Sequence, residues 1–392
     1  MDPPFNSKAT YNVLFHEKDG TAPPAQIMAF HDSWKWDEGA EDTLREVGRC
    51  GPKRVSDLLE ALLQFLGRND MMAYLTMMAP RLLELRRVLK PTGSLYLHCD
   101  EVAAHYLKLV MDGVFGPERF LTEIVWQRTN VHSDSKCWSD VRDSILLYAK
   151  WGRFTWNPQY VPFAEKYVQG KYRYADPDGR RYRLDNMTSP SPRPRMMYEW
   201  RGYPCPPYGW RYQRETMQRL HDEGRIWYPT TQDGELDTSK RPQLKRYLEE
   251  MPGVLMGNVW TDIPPINSRA KERLGYETQK PEALLKRIIL ASSNEGDTVL
   301  DPFCGCGTTI IAAEELHRSW IGIDITHLAI TPIRRRLRDS FEGSLIPYNV
   351  TGEPQDVPSA RSLAEGVWSS SSAIRLSPSQ IRACGFPALG SS

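Results

Sequence analysis

Apolar positions recur at helical spacing from Arg54 to Leu66 and from Met71 to Leu89, and the second pattern stops at Lys90-Pro91-Thr92-Gly93, a sharp turn signal. Ser94-Leu-Tyr-Leu-His98 reads as a short buried strand, with His98 beside Cys99 as a satisfied residue at its end. Glu101 to Met111 returns as a helix, and Leu121 to Gln127 and Ser144 to Tyr148 are further strand candidates. This alternation predicts a layered α/β sheet. Before it, residues 1 to 50 scatter Tyr11, Phe15, Phe30, Trp34 and Trp36 among charged neighbours and read as mostly irregular.

From about 150 to 262 the pattern changes to mixed aromatics, prolines, glycines and arginines, which predicts an inserted module with extended loops. Thr278 to Ser293 resumes a helix with Pro281 in its first turn. Thr298 to Asp301, Thr308 to Leu316 and Trp320 to Asp324 then form a strand, helix and strand, one βαβ unit. Beyond Thr351 little demands a core, and Ser369 to Ser372 is an unbroken serine run, so the tail is expected to be poorly ordered.

A chain of 392 residues has room for a large α/β core plus a smaller module. The formal charge of +1 selects no partner, but Lys171 to Leu220 holds eleven Lys or Arg against five Asp or Glu. Arg334, Arg335, Arg336 and Arg338 form a second basic spot, and together these support a nucleic-acid partner. Of the seven cysteines only Cys304 and Cys306 are close, too tight for a zinc knuckle and lacking a second pair, so a reducing compartment and no metal are expected. With no signal-peptide pattern and no membrane-length apolar run, the expected location is the cytoplasm.

The stretch Val299-Leu-Asp-Pro-Phe-Cys-Gly-Cys-Gly-Thr-Thr-Ile-Ile311 sets a glycine turn between a strand and a helix. Gly305 and Gly307 would let a ligand approach the backbone, and Asp324, at the end of the next strand, could accept from both hydroxyls of a ribose. A dinucleotide fingerprint would need a glycine where Ile310 stands, and a Walker A loop would need a lysine after Gly307. Asp301 beside the turn disfavours a phosphate and suits a sulfonium or an α-ammonium group. S-adenosylmethionine, a cation with a ribose and no phosphate, fits best.

The opening Asp2-Pro3-Pro4-Phe5 can hold an exocyclic base amine. Asp2 accepts one amine hydrogen and the Pro3 carbonyl another, while the prolines fix φ and so pre-set both acceptors. Phe5 offers a face to the base. Cys205-Pro-Pro-Tyr208 lacks the acid and Ile263-Pro-Pro-Ile266 lacks the aromatic, so both read as loops.

These two motifs, in this order, resemble the DNA amino-methyltransferases, specifically the permuted class with the catalytic motif before the cofactor motif. "DPPFNSKATYNVLF", "TQKPEALLKR" and "VLDPFCGCGTTIIAAEELHRSWIGIDI" carry the likeness, supported by "KPTGSLYLHCD", "DSILLYAK", "GRIWYP" and "KRYLEE…GNVWTDI", over roughly residues 2 to 350. The resemblance implies a Rossmann-like, S-adenosylmethionine-dependent α/β methyltransferase sheet, circularly permuted, with an inserted target-recognition module. It divides the chain into a catalytic half (1–149), the module (150–262), a cofactor-binding half (263–350) and a tail (351–392). It makes Asp2, Pro3, Pro4 and Phe5 catalytic, and Asp301, Phe303, Gly305, Gly307 and Asp324 cofactor-binding. Thr278, Gln279, Lys280 and Pro281 would close the methionine side, and Arg181, Arg183, Arg193 and Arg195 are candidate contacts to double-stranded DNA. An opening aspartate tilts the target towards adenine N6. Cytosine N4, an RNA amine and a non-catalytic DNA-binding fragment are the alternatives, and a homodimer or a restriction endonuclease counterpart is compatible with the family. The family's strand before the catalytic motif would precede residue 1, which predicts an N-terminally truncated chain.

Overall fold

The computed structural model describes residues 1–4, 10–11, 30–31, 34–131, 136–267, 269–270, 272–274, 276, 278–324 and 329–352. Phe5, the serine run and the rest of the tail after 352 lie outside the described residues. Two compact units emerge, Pro158–Met256 and the remainder of the chain on either side of it.

In the larger unit, helices Lys53–Leu66, Asp70–Val88 and Ala104–Phe115 form one layer. Asn69 caps the second by accepting from Met72 N at 2.9 Å, satisfying one of the orphan amides of the first turn. Leu59, Leu75, Met78, Leu82, Leu107 and Val110 from this layer pack on Leu95, Leu97 and Tyr148 of a sheet. That sheet runs Val259–Trp260, Phe120–Gln127, Arg142–Ala149, Ser94–Cys99. The last three strands are antiparallel neighbours, and Val259–Trp260 joins Phe120–Gln127 in parallel.

The βαβ unit forms as its pattern predicts. Thr298–Asp301 and Ser319–Gly322 pair in parallel around helix Thr308–Glu315, whose residues from Thr308 to Ala313 are all buried. The helix just before it, Glu282–Ser292, starts later than the pattern from Thr278 predicts, because Pro281 is the N-cap, not a first-turn residue.

Two helices escaped the hydrophobic pattern. Glu38–Cys50 buries only Val47 and begins at Asp37, whose side chain accepts from Ala40 N at 2.9 Å. Ile330–Ser340 buries only Ile333 and Leu337, one turn apart. A helix that buries so little leaves too narrow an apolar stripe to stand out.

The smaller unit has its own core of Met187, Trp200, Tyr203, Trp210, Met217 and Leu244. Its antiparallel sheet runs Tyr174–Ala175, Arg181–Asn186, Gln243–Tyr247, Ile226–Trp227, flanked by helix Arg214–Asp222. The expectation of extended loops missed these elements because the strands are two to six residues long. Among the described residues no helix is long and apolar enough to cross a membrane.

Candidate active site

The opening residues lie along the Ser94–Cys99 strand, where His98 N donates to Met1 O at 3.1 Å. Pro3 is buried, and Asp2 and Pro4 are partly buried. Asp2 Oδ2 accepts from Lys280 Nζ at 2.7 Å, and Asp2 Oδ1 lies 2.8 Å from His98 Nδ1. Burial works against the Asp2 charge, but Lys280 and then His98 outweigh it and hold the carboxyl well below the usual carboxylate range.

Thr278, Gln279, Lys280 and Pro281 divide their tasks. Lys280 reaches Asp2, and its Nζ also donates to Thr278 O at 3.1 Å. Gln279 folds its own loop: its side-chain oxygen accepts from Leu274 N at 2.9 Å and its amide donates to Glu272 O at 2.6 Å. Thr278 hydrogen-bonds the Tyr276 hydroxyl, and Pro281 starts the helix.

The glycine turn is held largely by carboxylates. Asp301 is buried, with Oδ2 accepting from Thr309 Oγ1 at 2.5 Å and Oδ1 accepting from Phe303 N at 3.3 Å. Asp324, partly buried, accepts from Gly305 N at 2.9 Å. Gly305 and Gly307 take φ of +49° and +79°, left-handed values that glycine adopts without penalty. Their missing side chains serve internal packing: a Cβ on Gly307 would stand 2.6 Å from Ile333 Cγ1, and one on Gly305 3.3 Å from the Tyr276 ring. Cys304 and Cys306 are buried and burial pushes both thiols up, as turn-filling residues would be.

The arginines separate by environment. Arg181 spends its guanidinium on Tyr172 O at 2.9 and 3.1 Å. Arg183 stands directly opposite Arg246 in the sheet, and its buried Nε has no hydrogen-bond partner. Arg193 is exposed with one long contact to Arg211 O at 3.5 Å, and Arg195 is exposed on the Pro194–Met196 turn. In the second basic spot, Arg336 instead clamps the glycine turn by donating to Cys306 O at 2.9 Å. The Pro-Pro loop at Ile263 is likewise structural: Ile263 O accepts from Trp126 Nε1 at 2.9 Å, and Asp262 forms a two-pronged pair with Arg287.

Sequence reasoning passed over the buried line behind Asp2. His98 Nε2 lies 3.0 Å from Asp143 Oδ2, and Asp143 Oδ1 lies 2.8 Å from Arg128 Nε. The available signal was a basic residue inside an otherwise apolar strand.

The chain is similar to several known proteins. The chain is 32% identical over 268 residues to the type II methyltransferase M.EcaI of Enterobacter cloacae, covering 67% of this chain and 57% of that one. It is 47% identical over 102 residues to the DNA adenine methyltransferase YhdJ of Escherichia coli, covering 26% of this chain and 33% of that one. The chain therefore spans less than two thirds of the length of these curated relatives. Among solved structures, the M1.HpyAVI–SAM complex superposes with a TM-score of 0.33 at 16% identity, over 66% of this chain and 79% of that one. The N6_N4_Mtase family model, described as DNA methylase, matches residues 1–333. The chain belongs to this DNA methylase family.

Proposed function

We propose that this protein transfers a methyl group from S-adenosylmethionine to the N6 amine of adenine in double-stranded DNA. The reading rests on one observation above all: Asp2, the opening acid of the Pro-Pro motif, is held ionised by Lys280 of the loop leading into Glu282–Ser292. An acceptor is thereby fixed for an amine hydrogen before substrate arrives.

The turn residues fit the cofactor by their chemistry. Asp301 and Asp324 present carboxylates at the glycine turn, a lining suited to a cation and a ribose and unsuited to a pyrophosphate. The Asp324 carboxylate, which accepts from Gly305 N, is an acceptor-only group of the kind a ribose hydroxyl requires. When bound, S-adenosylmethionine supplies an electrophilic methyl on a sulfonium, which departs as a neutral thioether.

The protein's own residues act on the amine. Its lone pair is delocalised into the base ring, so it is a poor nucleophile. Asp2 and the Pro3 carbonyl each accept one N–H hydrogen, which favours a more tetrahedral nitrogen with its lone pair directed at the methyl. Once it carries the methyl, the nitrogen would lose one proton, through Asp2, to solvent. Phe5 stacks the extruded base. The 150–262 module grips the duplex, with Arg193 and Arg195 its most available phosphate contacts. The opening aspartate and the likeness to YhdJ support adenine as the target.

The test is transfer of labelled methyl to mixed-sequence unmethylated DNA, with nucleoside chromatography of the product. Wild type should yield N6-methyladenine, and Asp2→Ala should abolish transfer while retaining cofactor binding. N4-methylcytosine as product overturns the adenine target, and equal transfer by both proteins removes Asp2 from the chemistry.

A further inference from the structure

We infer that His98 is a positioning residue for Asp2, fixing the orientation of the carboxylate that receives the amine. The inference deepens the proposed function and rests on it for the role of Asp2.

His98 holds the catalytic motif twice. Its backbone N donates to Met1 O at 3.1 Å, and its ring Nδ1 lies 2.8 Å from Asp2 Oδ1. The ring is itself fixed from behind. Nε2 lies 3.0 Å from Asp143 Oδ2, Asp143 is 2% exposed, and Arg128 Nε holds its other oxygen at 2.8 Å. The register that pairs His98 with Ile145 and Cys99 with Ser144 brings Asp143 to the same end of the sheet. Trp126 meets the imidazole edge-on with ring centres 5.9 Å apart. The ring therefore stands between two carboxylates, within ion-pairing distance of Asp2 on one side and hydrogen-bonding distance of Asp143 on the other. The line Arg128–Asp143–His98–Asp2 ends on one Asp2 oxygen, while Lys280 holds the other. With both oxygens tethered, rotation of the Asp2 carboxylate breaks one contact or the other.

A strand-end histidine serving only to fill the sheet would make activity follow stability. Two substitutions separate the roles. His98→Asn places its amide nitrogen near the Nδ1 position and keeps the donor to Asp2; His98→Gln places it near Nε2 and keeps the donor to Asp143. Because Asp143 is the more buried carboxylate, the Asn variant should be the less stable on thermal unfolding. The inference predicts the opposite order for turnover. At a temperature where both variants are folded, His98→Asn should keep kcat close to wild type and His98→Gln should lose about 10²-fold, the scale of an ångström-sized misplacement. DNA KM should be unchanged in both. If kcat follows stability, with Gln equal to or above Asn, the inference is overturned.

Crystal structures of the two full-length variants judge the inference even if wild type transfers no methyl, an outcome that would defeat the proposed function alone. The Asp2 carboxylate should keep its wild-type orientation in His98→Asn and turn away in His98→Gln. The same Asp2 conformation in both removes the positioning role.

Discussion

Lys280 Nζ sits 2.7 Å from Asp2 Oδ2 across a sequence separation of 278 residues. The contact ties the segment before Glu282–Ser292 to the opening Pro-Pro motif and favours the charged form of its acid. Lys280 is the largest influence opposing burial at Asp2, so Lys280→Met should raise the Asp2 pKa. A carboxylate must be ionised to accept the amine hydrogen. The acid limb of kcat/KM should therefore move to higher pH in the variant, with transfer falling about tenfold per pH unit below the new value. Superimposable pH profiles of the two proteins would show that Lys280 does not govern Asp2.

Gly307 carries a steric prediction that separates packing from ligand contact. Alanine there costs about 1–2 kcal/mol for the left-handed backbone, and its Cβ would stand 2.6 Å from Ile333 Cγ1. Gly305→Ala meets a milder contact, 3.3 Å from Tyr276. Denaturant unfolding should therefore rank Gly307→Ala as the more destabilising, by roughly 1–3 kcal/mol of overpacking. In an Ile333→Ala background, which removes Cγ1, that excess should shrink. An undiminished cost would point to something other than Ile333 as the neighbour that matters.

Arg181 and Arg195 should behave differently although both lie in the basic segment. The Arg181 guanidinium is committed to the carbonyl of Tyr172, so Arg181→Ala should lower stability by about 1 kcal/mol and leave the salt dependence of DNA binding unchanged. Arg195 is exposed, and Arg195→Ala should weaken binding across all sequences and reduce the slope of log K against log salt by about one. Titrations at several salt concentrations read both outcomes, and a slope change confined to Arg181→Ala would reverse the assignment.

Much of the fold was legible because its elements bury wide apolar faces. Met72, Leu75, Met78 and Leu82 write the period of Asp70–Val88 directly, and Thr298–Asp301 and Ser319–Gly322 are strands on either side of a buried helix. Glu38–Cys50 and Ile330–Ser340 bury too few side chains to leave that trace. The candidate site was legible where chemistry is local, at Asp2-Pro3-Pro4 and at the glycine turn. It was illegible where the partner is remote. Nothing in the spacing of Lys280 announces Asp2, and Asp143 becomes a neighbour of His98 only through strand register. The glycines read from sequence as room for a ligand, while Tyr276 stands beside Gly305 and Ile333 beside Gly307, the latter contact set by a helix that the apolar pattern does not reveal.

The smaller unit enters and leaves the chain once, at Pro158 and Met256, and carries its own aromatic core. Asp2, His98, Asp143, Lys280, Asp301 and Asp324 all lie outside that interval. A single recombination event bounded by those two points can replace the whole unit without altering one residue of the candidate site.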